Sequence, residues 1–232
     1  MMTVLRRLLV AALIAGGASG VLLGIAQVVF ITPLILEAEA HEQRDPVQHP
    51  SAPHSWEPKE GLERNAYTVL LTTLAGVGLA LVLNAGMLLG GGTGIRQGLI
   101  WGSAGFAVFT LAPALGLPPE LPGVQAADLV ARQAWWIGTV VATATGLACI
   151  AFSRRPWVRM IGIAALLAPH VIGPPISVAP ASAALASLEH AFISTSLSIM
   201  LGFWLVVGAL SGVLHARFLP QDDRANSLAH TV

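Results

Sequence analysis

The residues best equipped for chemistry in this chain gather in one polar stretch, EAEAHEQRDPVQHPSAPHSWEPKEGLER at 37–64. It holds seven carboxylates and three histidines, His41, His49 and His54. Glu37 and His41 stand four residues apart, so a helix running through them puts both on one face, close enough to share an ion. Imidazole with carboxylate suits borderline divalent ions such as Zn, Ni or Co better than the hard ions Mg and Ca. The stretch is also rich in proline, and the same residues read equally as a solvated acidic loop that holds no ligand.

Other candidates lie further along. His170 sits in the apolar run APHVIGPP, 11 residues beyond Arg159. That is about 16 Å along a helix, near the middle of a bilayer. An ionisable group at that depth is a candidate for function by default, although a histidine bonded to a carbonyl freed by Pro169 or Pro174 would satisfy the same physics. Glu189 and His190 precede Ser194, Thr195, Ser196 and Ser198, whose hydroxyls supply oxygen ligands or bond their own helix. Glu120 stands in the turn LPPELPG. There is no GxSxG, no Walker sequence and no HExxH. The chain therefore reads as no enzyme, without a tightly bound cofactor, and any transport it performs is energised elsewhere or runs down a gradient.

The elements that must position these residues follow from composition. Hydrophobic residues make up 55% and charged ones 10%, against about 25% charged in globular proteins. Such a chain needs a lipid bilayer as its solvent. Its net charge is zero and its basic residues form no block, which excludes a nucleic-acid partner. A bilayer core takes about 20 helical residues, and six charge-poor runs of that order occur, at 8–34, 66–91, 97–116, 133–152, 157–176 and 191–215. The expected fold is all-α, a polytopic membrane helix bundle forming a single transmembrane domain over 1–232. The fifth span is the weakest, so five spans remain an alternative. Arg6 and Arg7 ahead of an apolar run resemble a signal peptide. The 29 residues without charge before Glu37 exceed the roughly 7–15 of a signal core, and the run reads as an uncleaved first helix.

Arginine and lysine set the orientation. With the N-terminus inside, Arg6, Arg7, Arg96, Arg154, Arg155, Arg159, Arg217 and Arg224 fall inside, against Arg44, Lys59, Arg64 and Arg132 outside. Both termini and the tail 218–232 are then cytoplasmic, and the acidic loop 37–64 faces out. Pro33 should end the first span, while Pro113, Pro169, Pro174 and Pro175 interrupt the third and fifth in their outer halves. Broken helices at membrane depth line cavities or pack in protein, which suggests an outward-facing vestibule or merely ordinary helix prolines. Gly16, Gly20 and Gly24, Gly98 and Gly102, and Gly208 and Gly212 form small-residue stripes. These serve the bundle's own packing or a dimer seam. Trp135, Trp136, Tyr67 and Trp157 lie near span ends as interfacial anchors, and Cys149 is a core filler without a disulfide partner.

Distinctive strings run from end to end: RRLLVAALIAGGASG and PLILEAEAHE, WEPKEGLER, IRQGLIWGSAGFAVF, LAPALGLPPELPG, ARQAWW and APHVIGPP. On these the chain resembles the CbtA family of proposed cobalt transporter subunits, often described with five spans. The resemblance implies a polytopic protein of the bacterial inner membrane that acts in cobalt uptake for cobalamin biosynthesis. It also implies a partner, a small single-span, histidine-rich CbtB-like subunit. Co2+ would be the transported ion, and Glu37, His41, His49, His54, Glu120, His170, Glu189 and His190 are the candidate metal-contacting residues. Two rival readings stand beside it: a membrane haem protein with His170 and His190 as axial ligands, and an accessory subunit that moves nothing.

The orientation is testable with single cysteines in a Cys149→Ala background. An impermeant thiol reagent added outside cells is expected to label Ser51→Cys and spare Ser153→Cys; the opposite pattern inverts the topology.

Overall fold

The computed structural model describes residues 2–42, 58–121, 126–175 and 186–218. His49 and His54, with most of the acidic loop, lie outside the described residues, as does the tail beyond 218. The chain is all-α, as composition requires, and the described residues contain no strand. Its helices are α1 (Met2–Ala26), α2 (Thr32–Glu42), α3 (Leu62–Gly90), α4 (Ile95–Phe106), α5 (Ala112–Ala114), α6 (Leu129–Phe152), α7 (Pro156–Ile172) and α8 (Ala186–Phe218). Two π turns, Gln27–Ile31 and Ala107–Leu111, join α1 to α2 and α4 to α5. Six helical runs result, one for each expected span. Four are long and apolar enough to cross a membrane: Val4–His41, Leu62–Gly90, Leu129–Phe152 and Ala186–Phe218. The helix α7 is apolar but shorter.

Pro33 does not end the first run, which continues to Glu42. In an α-helix a proline ring collides with the carbonyl four residues back and lacks the N–H to bond it. Here the preceding turn is widened, and the Thr32 N–H reaches back five residues to the Gln27 carbonyl. A turn widened in this way relieves the clash that an α turn would impose on the ring. The same device recurs at Pro113, where the Ala112 N–H bonds the Ala107 carbonyl. This second run stops soon after, at Ala114, where the chain closes in a turn with the Gly116 and Leu117 N–H groups both on the Pro113 carbonyl at 3.1 and 2.8 Å. The fifth run is shorter than the sequence implies. It ends at Ile172, where Gly173 takes a positive φ of 85° and its N–H closes on the Pro169 carbonyl at 2.9 Å.

The described residues gather into two compact units. Unit 1 comprises Met1–Ile25, Arg64–Gly105 and Met200–Val232, and unit 2 comprises Ala26–Glu63 and Phe106–Ile199. In unit 1, lipid gives helices no hydrophobic reason to associate, so close backbone contact must hold them. A Cβ added at Gly16 would lie 2.5 Å from the Gly76 carbonyl oxygen and 2.6 Å from the Val77 Cα. Gly20 and Gly24 meet α3 in the same way at Thr73 and Val69. Gly98 and Gly102 of α4 face Gly208 and Gly212 of α8, and the Gly94 N–H donates to the Gly212 carbonyl at 2.9 Å. Each of the three stripes therefore packs helices of this chain against one another. Trp204, 1% exposed, fills the space over Gly105.

Unit 2 contains a helical hairpin. The Asp128 side chain caps α6 by accepting from the Ala131 N–H at 2.9 Å, and Pro156 starts α7, where a missing N–H costs nothing. Gly146 and Gly162 bring the two helices together: a Cβ added at either would lie 2.7–2.8 Å from the other's carbonyl oxygen. A separate apolar cluster joins Ile31 and Ala38, Leu121, and Leu188 and Phe192.

Adjacent glycines of opposite environment give the test. Gly17 has nothing within 4 Å of its would-be Cβ. Gly16→Leu is expected to cost about 1–3 kcal/mol through overpacking and to lower the thermal midpoint in detergent, while Gly17→Leu leaves it near that of the parent. Equal midpoints for the two variants would show that the α1–α3 approach does not hold the unit together.

Candidate functional site

The first turns of α6, carrying ARQAWW, organise the chemistry-bearing part of unit 2. Arg132 pairs with Glu120 at 2.7 Å, which ties the proline-rich turn to the helix and neutralises the Glu120 carboxylate. One turn later Trp135 packs over Gly116, where any side chain would strike the indole. Its N–H donates to the Pro169 carbonyl at 3.3 Å, the same carbonyl that closes α7. Trp136 stacks obliquely on Phe109 of the second π turn, with centroids 6.4 Å apart. Trp135 is thus a packing hub inside the protein. Its anchoring role at a span end is what the sequence suggested, because tryptophan near an apolar terminus commonly lies at the interface.

His170 lies in the last turn of α7, two residues before its end, and is half-buried. Its ring meets the Trp135 indole edge to face, centroids 6.2 Å apart and planes at 73°. Among the described residues it bonds no carbonyl beside Pro169 or Pro174. Among the described residues, the proline-freed carbonyl is therefore not its partner.

His41 shows the opposite arrangement. Its Nδ1 lies 2.8 Å from the Glu37 backbone carbonyl. A carbonyl only accepts, so Nδ1 is the donor in this bond and Nε2 is the ring nitrogen not engaged by it. The spacing of four does align the two residues, through the backbone oxygen of Glu37 rather than its exposed side chain.

The apolar cluster draws the carriers of the remaining candidates together. Ala38 follows Glu37, Leu121 follows Glu120, and Leu188 precedes Glu189 and His190. All three apolar residues are buried in one place, so α2, the proline-rich turn and the start of α8 meet at one end of unit 2. Their acidic and imidazole side chains do not converge, and among the described residues no three His, Cys, Asp or Glu form a metal-sized group. Ser194 and Ser198 bond the Ala191 and Ser194 carbonyls, at 3.1 and 2.7 Å, so these two hydroxyls serve their own helix.

A polar group in unit 1 escaped the reading of the sequence. Asn84, Ser211 and His215 are 1%, 0% and 0% exposed. The Asn84 amide Nδ2 donates to the Ala80 carbonyl at 2.7 Å and to Ser211 Oγ at 3.0 Å. His215 follows Ser211 by one turn, and so shares its face of α8. The available signal was Asn84 itself, the one amide within the apolar run from Thr68 to Gly90.

Comparison with curated proteins and with solved structures found no match. A family model does match, over residues 5–216, and it describes a probable cobalt transporter subunit. Coming after an all-α architecture with several membrane-length helices, that match covers nearly the whole chain, which belongs to the CbtA family.

Proposed function

We propose that this chain is the permease subunit of a Co2+ uptake system that supplies cobalamin biosynthesis, set in the bacterial inner membrane with both termini in the cytoplasm. The match to the family of probable cobalt transporter subunits over residues 5–216 carries the reading. A subunit implies company, and the partner proposed is the small, single-span, histidine-rich CbtB-like protein. In this orientation the carboxylates of 37–64 raise the local concentration of cations electrostatically. His41 offers Nε2 as a first nitrogen donor, beside the exposed Glu37, and His49 and His54 add two more imidazoles from the same loop. Glu189 and His190 lie on an element that meets α2, which supports including them in the same outer vestibule. Glu120 serves there through its pair with Arg132, by holding the proline-rich turn.

His170 is the proposed contact beyond the loop. Its imidazole is held by Trp135 and has no protein hydrogen bond among the described residues, so a lone pair is open to a borderline cation.

Deleting residues 49–54 should raise the Co2+ concentration needed for half-maximal uptake and leave the maximal rate nearly intact, because a capture loop changes local concentration and not the path. Equal loss at every Co2+ concentration would make the loop structural.

For His170, uptake per molecule of inserted protein is the measurement. His170→Ala should lower it about tenfold, and His170→Gln, which preserves packing against Trp135, should not restore it. Wild-type uptake by His170→Gln removes His170 from the path.

A further inference from the structure

We propose that Asn84, Ser211 and His215 form a transit site for the divalent cation inside unit 1, distinct from the acidic residues of unit 2. The inference deepens the uptake reading and rests on it.

Three observations carry it. First, the Asn84 Oδ1 oxygen is buried and has no hydrogen-bond partner among the described residues, although its Nδ2 is fully engaged with Ala80 and Ser211. Gluing α3 to α8 needs only the Nδ2–Ser211 bond. A leucine or serine at 84 would avoid the cost of an orphaned amide oxygen, which native interiors rarely carry without a ligand, ion or water to meet it. Second, the neighbours supply complementary donors. Ser211 Oγ is bonded directly to Asn84, and the His215 imidazole lies one turn along the same face of α8, with all three residues at most 1% exposed. An amide oxygen, a hydroxyl oxygen and an imidazole nitrogen make a mixed N/O set, which suits a borderline divalent ion such as Co2+.

Third, the site is placed for passage. Asn84 stands six residues before the end of α3 and His215 three before the end of α8, about 9 and 5 Å along the helix axes. It therefore lies within two turns of both helix ends. The set also contains no carboxylate. A charged site buried in an apolar bundle would hold a divalent cation too firmly to release it, whereas conduction requires binding favourable enough to enter and weak enough to leave. Acidic residues concentrate the ion elsewhere in the chain, and a set without carboxylates hands it on. The packing beside the group is close, because Gly208 and Gly212 on α8 lie directly against α4.

The full chain, purified in detergent in a Cys149→Ala background, tests the site by a thiolate probe. Ser211→Cys is nearly isosteric and puts a soft ligand where the ion would stand. Addition of CoCl2 should produce the thiolate-to-cobalt charge-transfer absorption in the near ultraviolet. Val213→Cys, on the same helix but 44% exposed, should not produce it, and neither should the parent. Absence of the band with Ser211→Cys in monodisperse protein, or an equal band with Val213→Cys, overturns the site. His215→Cys gives the same readout from the next turn should Ser211→Cys fail to fold. In cells, Asn84→Leu and His215→Gln should each lower cobalt uptake per inserted molecule about tenfold. Parent-level uptake by both variants, with the parent active, overturns the transit site alone. A parent chain that takes up no cobalt overturns the uptake reading, and the transit role with it.

Discussion

Lipid offers a backbone carbonyl nothing to bond, so each proline within a membrane helix must be accommodated by the chain itself. Much of this structure answers that constraint. Pro33 and Pro113 each follow a five-residue π turn, whose last hydrogen bond reaches one residue further back than an α-helix allows. The wider turn clears the ring and lets the helix continue. Pro169 is met differently. It lies inside α7 three residues before the helix ends, and its own carbonyl receives the closing Gly173 N–H and the Trp135 indole N–H from the neighbouring helix. Local π turns commonly mark functional places in helices. Here they begin directly after Ala26 and Phe106, where the chain passes from one compact unit to the other.

The two units are held by different physics. Unit 1 relies on glycine stripes that bring backbones into contact, with Asn84 and Ser211 adding one interhelical hydrogen bond. Unit 2 adds an apolar cluster, a glycine contact between α6 and α7, and the Arg132–Glu120 ion pair. The chemistry is divided in parallel. Glu37, His41, Glu120, Glu189 and His190 stand on elements that meet in unit 2, while unit 1 encloses Asn84, Ser211 and His215, a polar group without a carboxylate. In the proposed uptake reading, cation capture would fall to charged side chains and cation passage to uncharged ones.

The six helical runs were legible because uninterrupted apolar length is a direct statement about bilayer thickness. Pro33 was misleading, since the rule that proline ends a helix assumes α geometry and no residue in QVVFITP announces a π turn. The glycine stripes were visible, but their partners were not, because spacing along one helix does not say which helix it faces. Trp135 looked like an interfacial anchor; its contacts with Gly116, Pro169 and His170 come from residues up to 35 positions away, beyond the reach of any local pattern. The carriers of the candidate ligands were legible one by one. Their meeting at Ala38, Leu121 and Leu188 was not, and neither was the burial of His215, which stands at the edge of its apolar run. Family resemblance supplied the cobalt, which no residue spacing in this chain could name.

Cobalt transport itself is the central claim, and its most direct measurement is radiolabelled Co2+ accumulation in cells without their own uptake system. The chain would be expressed with its small histidine-rich partner, with the partner alone as control. Saturable accumulation that requires this chain is the predicted result. Accumulation no greater than that of the control, with the chain verified in the membrane, would contradict the account.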